Sequence, residues 1–399
     1  MKKLISLILT FVILLSTLTT SLATYGAVYS GMDEENIYFN NIVYHKGSLY
    51  SFINDSLFEY NDTDSNFVKI AELERTESMN GYISGLASDG DDLIYYDGSS
   101  LSFYKGAIDN GIIKLEPAYS FEKVDTGIEY FYTDKAVICD DFIYMLSFGM
   151  GQGASLYIID KKTGQFSTKK FDENYTNIEG YKGNSIIFAS GEKIKSFDGQ
   201  NFTELFDIPK LDSIFGVSLV YNKAKDIILL VDENFVYSQQ ADGSFKKAAF
   251  TGMGFINGAC AFDDNIALIS DGKVYTYKLD SDNMPETFIR VYGTSTEVMR
   301  KYNEANPSLP AIAINSQYLA TINDIASNMK SADACDVYVL NSSMGLKPLV
   351  ERNYVVPLTM DGIKNSIDRM YPYIKEALLF DGVPYFYPIG VVSYGDISN

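Results

Sequence analysis

One pattern recurs between Ile37 and Phe288 and limits the fold of this chain more than any other property. A tight turn followed by an apolar strand appears as Lys46-Gly47-Ser48-Leu49-Tyr50, Asp91-Asp92-Leu93-Ile94-Tyr95 and Asp140-Asp141-Phe142-Ile143-Tyr144. It returns as Gly183-Asn184-Ser185-Ile186-Ile187, Lys225-Asp226-Ile227-Ile228-Leu229 and Asp264-Asn265-Ile266-Ala267-Leu268. Successive copies start roughly 40 to 50 residues apart, the period of a propeller blade. An apolar strand precedes each copy, as in Val217-Ser218-Leu219-Val220-Tyr221, and a third strand follows, as in Leu156-Tyr157-Ile158-Ile159. Most copies add an outer strand such as Gln165-Phe166-Ser167-Thr168. A small sheet of this kind cannot bury both faces alone, so copies stack around an axis until the ring closes. Four strands repeated six times predict an all-β, six-bladed propeller, or a seven-bladed one if a degenerate copy is present. The last copy runs out near Pro285 before its outer strand, so the segment near Ala27-Val28-Tyr29 is expected to supply that strand.

After this region the periodicity changes. Phe288-Ile289-Arg290-Val291-Tyr292 reads as a strand, Glu297 to Asn303 as an amphipathic helix, and Ala311-Ile312-Ala313-Ile314 as a second strand. Ser295 or Thr296 can cap the helix with its hydroxyl, and Asn306-Pro307 ends it because the residue before proline is pushed out of the α region. A helix over about 319–330 leads to a third strand, Asp336-Val337-Tyr338-Val339-Leu340. Apolar strands alternating with helices predict a parallel sheet covered on both faces.

Four marks in this part are similar to the bacterial extracellular solute-binding proteins of the sugar-binding family 1 type. They are Lys301-Tyr302-Asn303-Glu304-Ala305-Asn306-Pro307, Ala332-Asp333-Ala334-Cys335-Asp336-Val337-Tyr338-Val339-Leu340, Leu349 to Leu358, and Phe380-Asp381-Gly382-Val383-Pro384-Tyr385-Phe386-Tyr387-Pro388. The resemblance implies an incomplete α/β periplasmic-binding-protein-like lobe that reaches Asn399 before such a domain would be finished, with half a cleft and weak or no ligand binding of its own. Ligands of open α/β sheets sit beyond the carboxyl ends of strands. That rule selects Gly293, Thr294 and Ser295 after the first strand, Gln317 and Tyr318 after the second, and Asn341, Ser342 and Ser343 after the third. Helix capping and turn formation explain some of the same residues. The family also implies a ligand contact near Ser393 and Tyr394, just beyond Tyr387-Pro388.

Residues 1–23 read as a secretion signal, with Lys2 and Lys3 before an apolar core and Ser21-Leu22-Ala23 as the cleavage site. The expected organisation is therefore 1–23 signal peptide, 24–286 propeller and 287–399 partial lobe. No cysteine lies near the cleavage point, so no lipid anchor is indicated, and the apolar run is short for a membrane span. The net charge of −20 disfavours nucleic acid as a partner, since phosphate neutralisation needs Lys and Arg. The acidity is regional. Residues 24–286 carry 21 basic and 41 acidic side chains, a balance of −20, whereas residues 287–399 carry 9 and 11, a balance of −2. Solubility of an exported protein accounts for it, with calcium or a cationic partner as the other reading. Cys139, Cys260 and Cys335 are isolated within apolar segments and read as buried free thiols, without zinc spacing.

Candidate chemistry is sparse. The pairs Asp91-Asp92, Asp140-Asp141 and Asp263-Asp264 could share a proton, but recurrence at one place in the repeat points to turn formation. A calcium loop beginning at Asp62 fails, with Phe67 where glycine and Leu73 where glutamate are needed. Gly149-Met150-Gly151-Gln152-Gly153 lies inside a repeat and reads as a long hairpin, since a phosphate cradle needs a following helix. His45 is the single histidine and sits near a turn without nucleophilic company. Asp160 to Gly164 resembles blades of quinoprotein-type propellers, which dock their quinone against tryptophan, and the chain has none. The 31 tyrosines and 25 phenylalanines suit sugar stacking and also suit strands. The leading expectation is a secreted, non-enzymatic solute-binding protein without cofactor or metal, capturing sugar or oligosaccharide for ABC-type uptake through permease subunits. The alternatives are a protein- or glycan-interaction propeller with a vestigial C-terminal lobe, and a propeller glycan-degrading enzyme using channel carboxylates.

Overall fold

The computed structural model describes residues 28–30, 39, 41–61, 66–75, 82–98, 100–119, 133–149, 153–170, 177–190, 192–209, 211, 217–252, 256–270, 272–279, 284–292, 296–315, 322–332, 334–340 and 346–388. They fall into two compact units: residues 24–288 with 295–313, and residues 289–294 with 314–399.

The first unit is built from antiparallel four-stranded meanders. The first runs through Val43–His45, Ser48–Ile53, Ser56–Asn61 and Asn66–Leu73. The second spans Gly85–Asp89 to Ile112–Pro117, the third Thr133–Ile138 to Phe166–Lys170, and the fourth Ile178–Gly180 to Phe202–Asp207. The fifth spans Ser218–Asn222 to Phe245–Phe250. The sixth has three consecutive strands, Gly258–Phe262, Asn265–Ser270 and Lys273–Lys278, and takes its outer strand from Val28–Ser30. Val28, Tyr29 and Ser30 lie opposite Thr276, Tyr275 and Val274 in an antiparallel ladder. This closing strand is where the unfinished last repeat requires it.

Side-chain alternation explains how these sheets stack. In the third sheet, Ile143 and Met145 pack toward Ile94 and Tyr96 of the second. Tyr144 and Leu146 pack the opposite way, toward Ile186 and Phe188 of the fourth. Successive residues of a strand face opposite sides, so a strand sandwiched between two sheets is apolar throughout. Ile266, Ala267, Leu268 and Ile269 divide in the same manner between the fifth and first sheets. The cluster in which Ala267, Ile269 and Val274 meet Phe39, Leu49, Phe58 and Phe67 joins the sixth sheet to the first. The opening strands also neighbour one another in order, and Gly258–Phe262 returns to lie beside Val43–His45. The arrangement is that of a β-propeller.

One joint departs from the pattern. The outer strands of the first two sheets pair in parallel, Glu72 with Ile112 and Leu73 with Ile113, which merges these sheets into one of eight strands. Past the ring, the helix Thr296–Ala305 and residues 311–313 belong to the same unit. Two asparagines fasten them. Asn303 accepts from the Ala311 amide (2.7 Å) and donates to its carbonyl (3.1 Å). Asn234 accepts from the Ala313 amide (3.0 Å) and donates to its carbonyl (2.9 Å).

In the second unit, Ile289–Tyr292 and Val337–Tyr338 pair in parallel, Val291 opposite Val337 and Tyr292 opposite Tyr338. The helix Ile322–Lys330 contributes Ile325 to a cluster with Tyr292 and Cys335. The expected third strand is shorter than read, two residues against five, although the Asp336 and Val339 amides still donate to the Arg290 and Tyr292 carbonyls at its ends (2.8 and 2.7 Å). Three further helices, Lys347–Glu351, Asp361–Asp368 and Pro372–Leu378, precede a hairpin turned by Asp381 and Gly382, both at positive φ.

Candidate functional site

The turns between first and second strands of neighbouring sheets meet at one end of the ring, and each joint carries a polar link. Lys46 of the first turn faces Asp91 of the second at 3.3 Å. The second sheet meets the third through Asp89, which binds Lys161 Nζ, in the turn before the third sheet's outer strand, at 2.8 Å and accepts from the Tyr119 hydroxyl at 2.9 Å. Asp141 and Asn184 join the third to the fourth: the Asp141 amide donates to Asn184 Oδ1 (2.6 Å), and Asn184 Nδ2 donates to the carboxylate (2.7 Å). Lys182 pairs with Asp226 at 2.7 Å, and Lys225 pairs with Asp264. The Tyr44 hydroxyl donates to Asp263 Oδ1 (3.1 Å), which returns the sequence of links to the first sheet.

The carboxylates respond to these partners. Lys162 and Asn184 hold Asp141 below the usual carboxylate range, Lys182 and Tyr221 do the same for Asp226, and Lys225 for Asp264. All three therefore stay ionised as acceptors well into the acid range. Asp226 and Asp263 adopt positive φ, a conformation that Asp tolerates because its side chain can bond locally. The reading of the acidic pairs as turn residues holds at Asp263. Lys182 and Lys225, which complete two of the links, carried no such signal, because their partners come from the next repeat, about 40 residues away.

His45 lies at the end of a strand and is buried. Its Nδ1 is 2.8 Å from Ser88 Oγ on the next sheet. Burial, followed by the Lys46 charge, lowers its pKa, so the ring stays neutral and serves as a link between sheets. Deeper in the ring, Lys135 of the third sheet pairs with Glu179 of the fourth at 2.5 Å. Cys260 of the sixth sheet is half-buried, not fully buried as read from sequence. Burial and the Glu179 charge push its thiol up to about 12, against the opposing effect of Lys135. Such a thiol is protonated and unreactive at neutral pH. Cys139 and Cys335 are buried, and neither is in a disulfide. Among the described residues, no group of three His, Cys, Asp or Glu is placed to hold a metal ion.

The ligand residues expected from the C-terminal resemblance, Gly293, Thr294, Ser295, Gln317, Tyr318, Asn341, Ser342, Ser343 and Tyr394, all lie outside the described residues. So do the signal segment, residues 62–65 of the rejected calcium loop and the tip of the glycine-rich hairpin. The strands flanking that tip pair up to Gly149 opposite Gly153, as a hairpin requires. No helix among the described residues is long and apolar enough to cross a membrane.

No family model and no curated protein matches the chain, so the solute-binding resemblance gains no support from those comparisons. Solved structures of β-propeller proteins do resemble it. A gluconolactonase from Xanthomonas campestris is 9% identical over 61% of this chain and 86% of its own, with a TM-score of 0.43. The calcium-binding protein regucalcin from Agrobacterium tumefaciens is 11% identical over 65% and 99%, with a TM-score of 0.43. The Neurospora crassa Pan2 WD40 domain is 11% identical over 66% and 96%, also at 0.43. Likeness at this level says nothing of activity.

Proposed function

We propose that residues 28–288 form a six-bladed propeller that acts as a secreted binding module and presents its rim of linked turns to an extracellular macromolecule. The observation that carries this reading is the rim itself. Each joint carries a charge pair or hydrogen bond, and Asp91, Asp226 and Asp264 remain largely exposed on the turns. A rigid face with outward carboxylates suits recognition, because little ordering entropy is lost on binding. The acidic balance of residues 24–286 favours a partner that is neutral or cationic where it touches the ring. The single histidine is engaged between sheets, and the thiol with a polar neighbourhood is held protonated.

The test is a binding screen of the purified chain against immobilised glycans and extracellular proteins, run beside turnover assays on polysaccharides. Binding without turnover, weakened by Asp91→Lys and Asp226→Lys and by added salt, is the expected result. Release of sugar products by the intact chain would replace the reading with the glycan-degrading one.

A further inference from the structure

A second surface of the ring is an open groove whose lining mixes charged and apolar side chains. A groove of about 840 Å³ lies where the outer strand of the fourth sheet meets the last hairpin turn of the fifth, within the ~300–1,000 Å³ common for ligand pockets. Two half-buried rings flank it, Phe206 and Phe245, edge to face with centroids 6.4 Å apart. Gly243 makes the turn fit against this pair. Its φ of +84° suits glycine, and a Cβ there would lie 3.1 Å from the Phe206 ring.

The polar groups of the groove are mostly acceptors. Lys193 is paired with Asp207 at 2.5 Å. Asp242 is bound by the amide and hydroxyl of Ser244, at 2.9 and 2.6 Å, and these bonds hold its carboxyl below the usual range. With Glu204 the lining carries three carboxylates against one ammonium. That balance repels phosphate, sulfate and uronate groups. A ligand suited to the groove has apolar faces for the rings and many neutral hydroxyl donors for the carboxylates. Sugars carry both on one molecule.

We propose that this groove binds a neutral oligosaccharide, with Phe206 and Phe245 supplying apolar contact and Glu204, Asp207 and Asp242 accepting from hydroxyls. The site is at the outer strands and does not depend on the rim, so either can fail without the other. The chain lacks tryptophan, which provides a direct reporter. The intact Phe206→Trp variant is titrated with cello-, malto- and xylo-oligosaccharides of increasing length, and with heparin and polygalacturonate as acidic counterparts. A change in the introduced fluorophore's emission that saturates with at least one neutral series, and with neither acidic polymer, is expected. Calorimetry with that neutral series should show roughly tenfold weaker binding for Phe206→Ala, an effect typical of losing a buried aromatic contact. Glu204→Gln, at an exposed position, should weaken binding severalfold with circular dichroism unchanged. Absence of any neutral ligand, equal binding of the acidic polymers, or unchanged affinity in both Phe206→Ala and Glu204→Gln would overturn the proposal.

Discussion

Single residues hold this ring together by facing two ways. Leu229 is fully buried between sheets, in the cluster that joins the fifth to the sixth. Leu229→Ala should cost about 2–5 kcal/mol, since it removes apolar contact and leaves a cavity. Chemical denaturation of the variant and the native chain measures this directly. Asp232 is a different case. It is buried in the second hairpin turn of the fifth sheet and accepts from the amides of Asn234 (2.8 Å) and Phe235 (2.6 Å) and from the Tyr237 hydroxyl (3.1 Å). Burial nonetheless raises its pKa to about 6, with the Glu233 charge adding to the effect. The folded state therefore holds this proton more tightly than the unfolded chain does. Its contribution to stability is greatest below the unfolded carboxyl pKa and falls as pH rises through about 6, by up to about 3 kcal/mol. Asp232→Asn keeps one acceptor oxygen and removes the titration. Its stability relative to the native chain should improve between pH 4 and pH 7 in matched denaturation curves. A constant difference across that range would show that Asp232 does not titrate there.

Between elements, exposure decides how much a rim link is worth. Lys46 and Asp91 are mostly in water, with side chains 56% and 95% exposed. Such pairs contribute about 0–1 kcal/mol, and Lys46→Ala should barely move the melting temperature. Lys161 is 13% exposed, binds Asp89, and donates to the Cys139 carbonyl at 3.0 Å. Lys161→Ala leaves a sheltered carboxylate and carbonyl short of a partner, so it should destabilise by about 1–3 kcal/mol. Comparing the two melting curves checks the ordering, and an equal effect of both substitutions would refute it. The strands and turns themselves were legible in sequence, because apolar runs such as Ile227–Val231 and turn residues such as Asp263 act locally. The closing strand was legible too, from the repeat that lacked its fourth piece. Links such as Lys225 to Asp264 and the parallel pairing of Glu72 with Ile112 were not, since one repeat does not encode which side chain of the next will face it. The groove beside Phe206 was hidden for the same reason, its walls coming from two repeats.

At the scale of the whole chain, composition and periodicity divide the sequence. The repeating part carries the negative charge, and the part after Phe288 alternates strands with helices. The ring is held shut by a segment of three residues far from its partner in sequence, and loop closure on that scale is entropically costly until the other sheets are in place. Pairing of Val28–Ser30 with Lys273–Lys278 should thus form late and be lost first on heating. Native-state hydrogen exchange read by mass spectrometry tests the closure most directly. Exchange within residues 28–30 slower than in the unfolded chain, and faster exchange of 273–278 when residues 28–30 are deleted, is the result expected of a ring fastened at that strand. Free exchange of residues 28–30 in the intact chain, or no change at 273–278 on deletion, would contradict it.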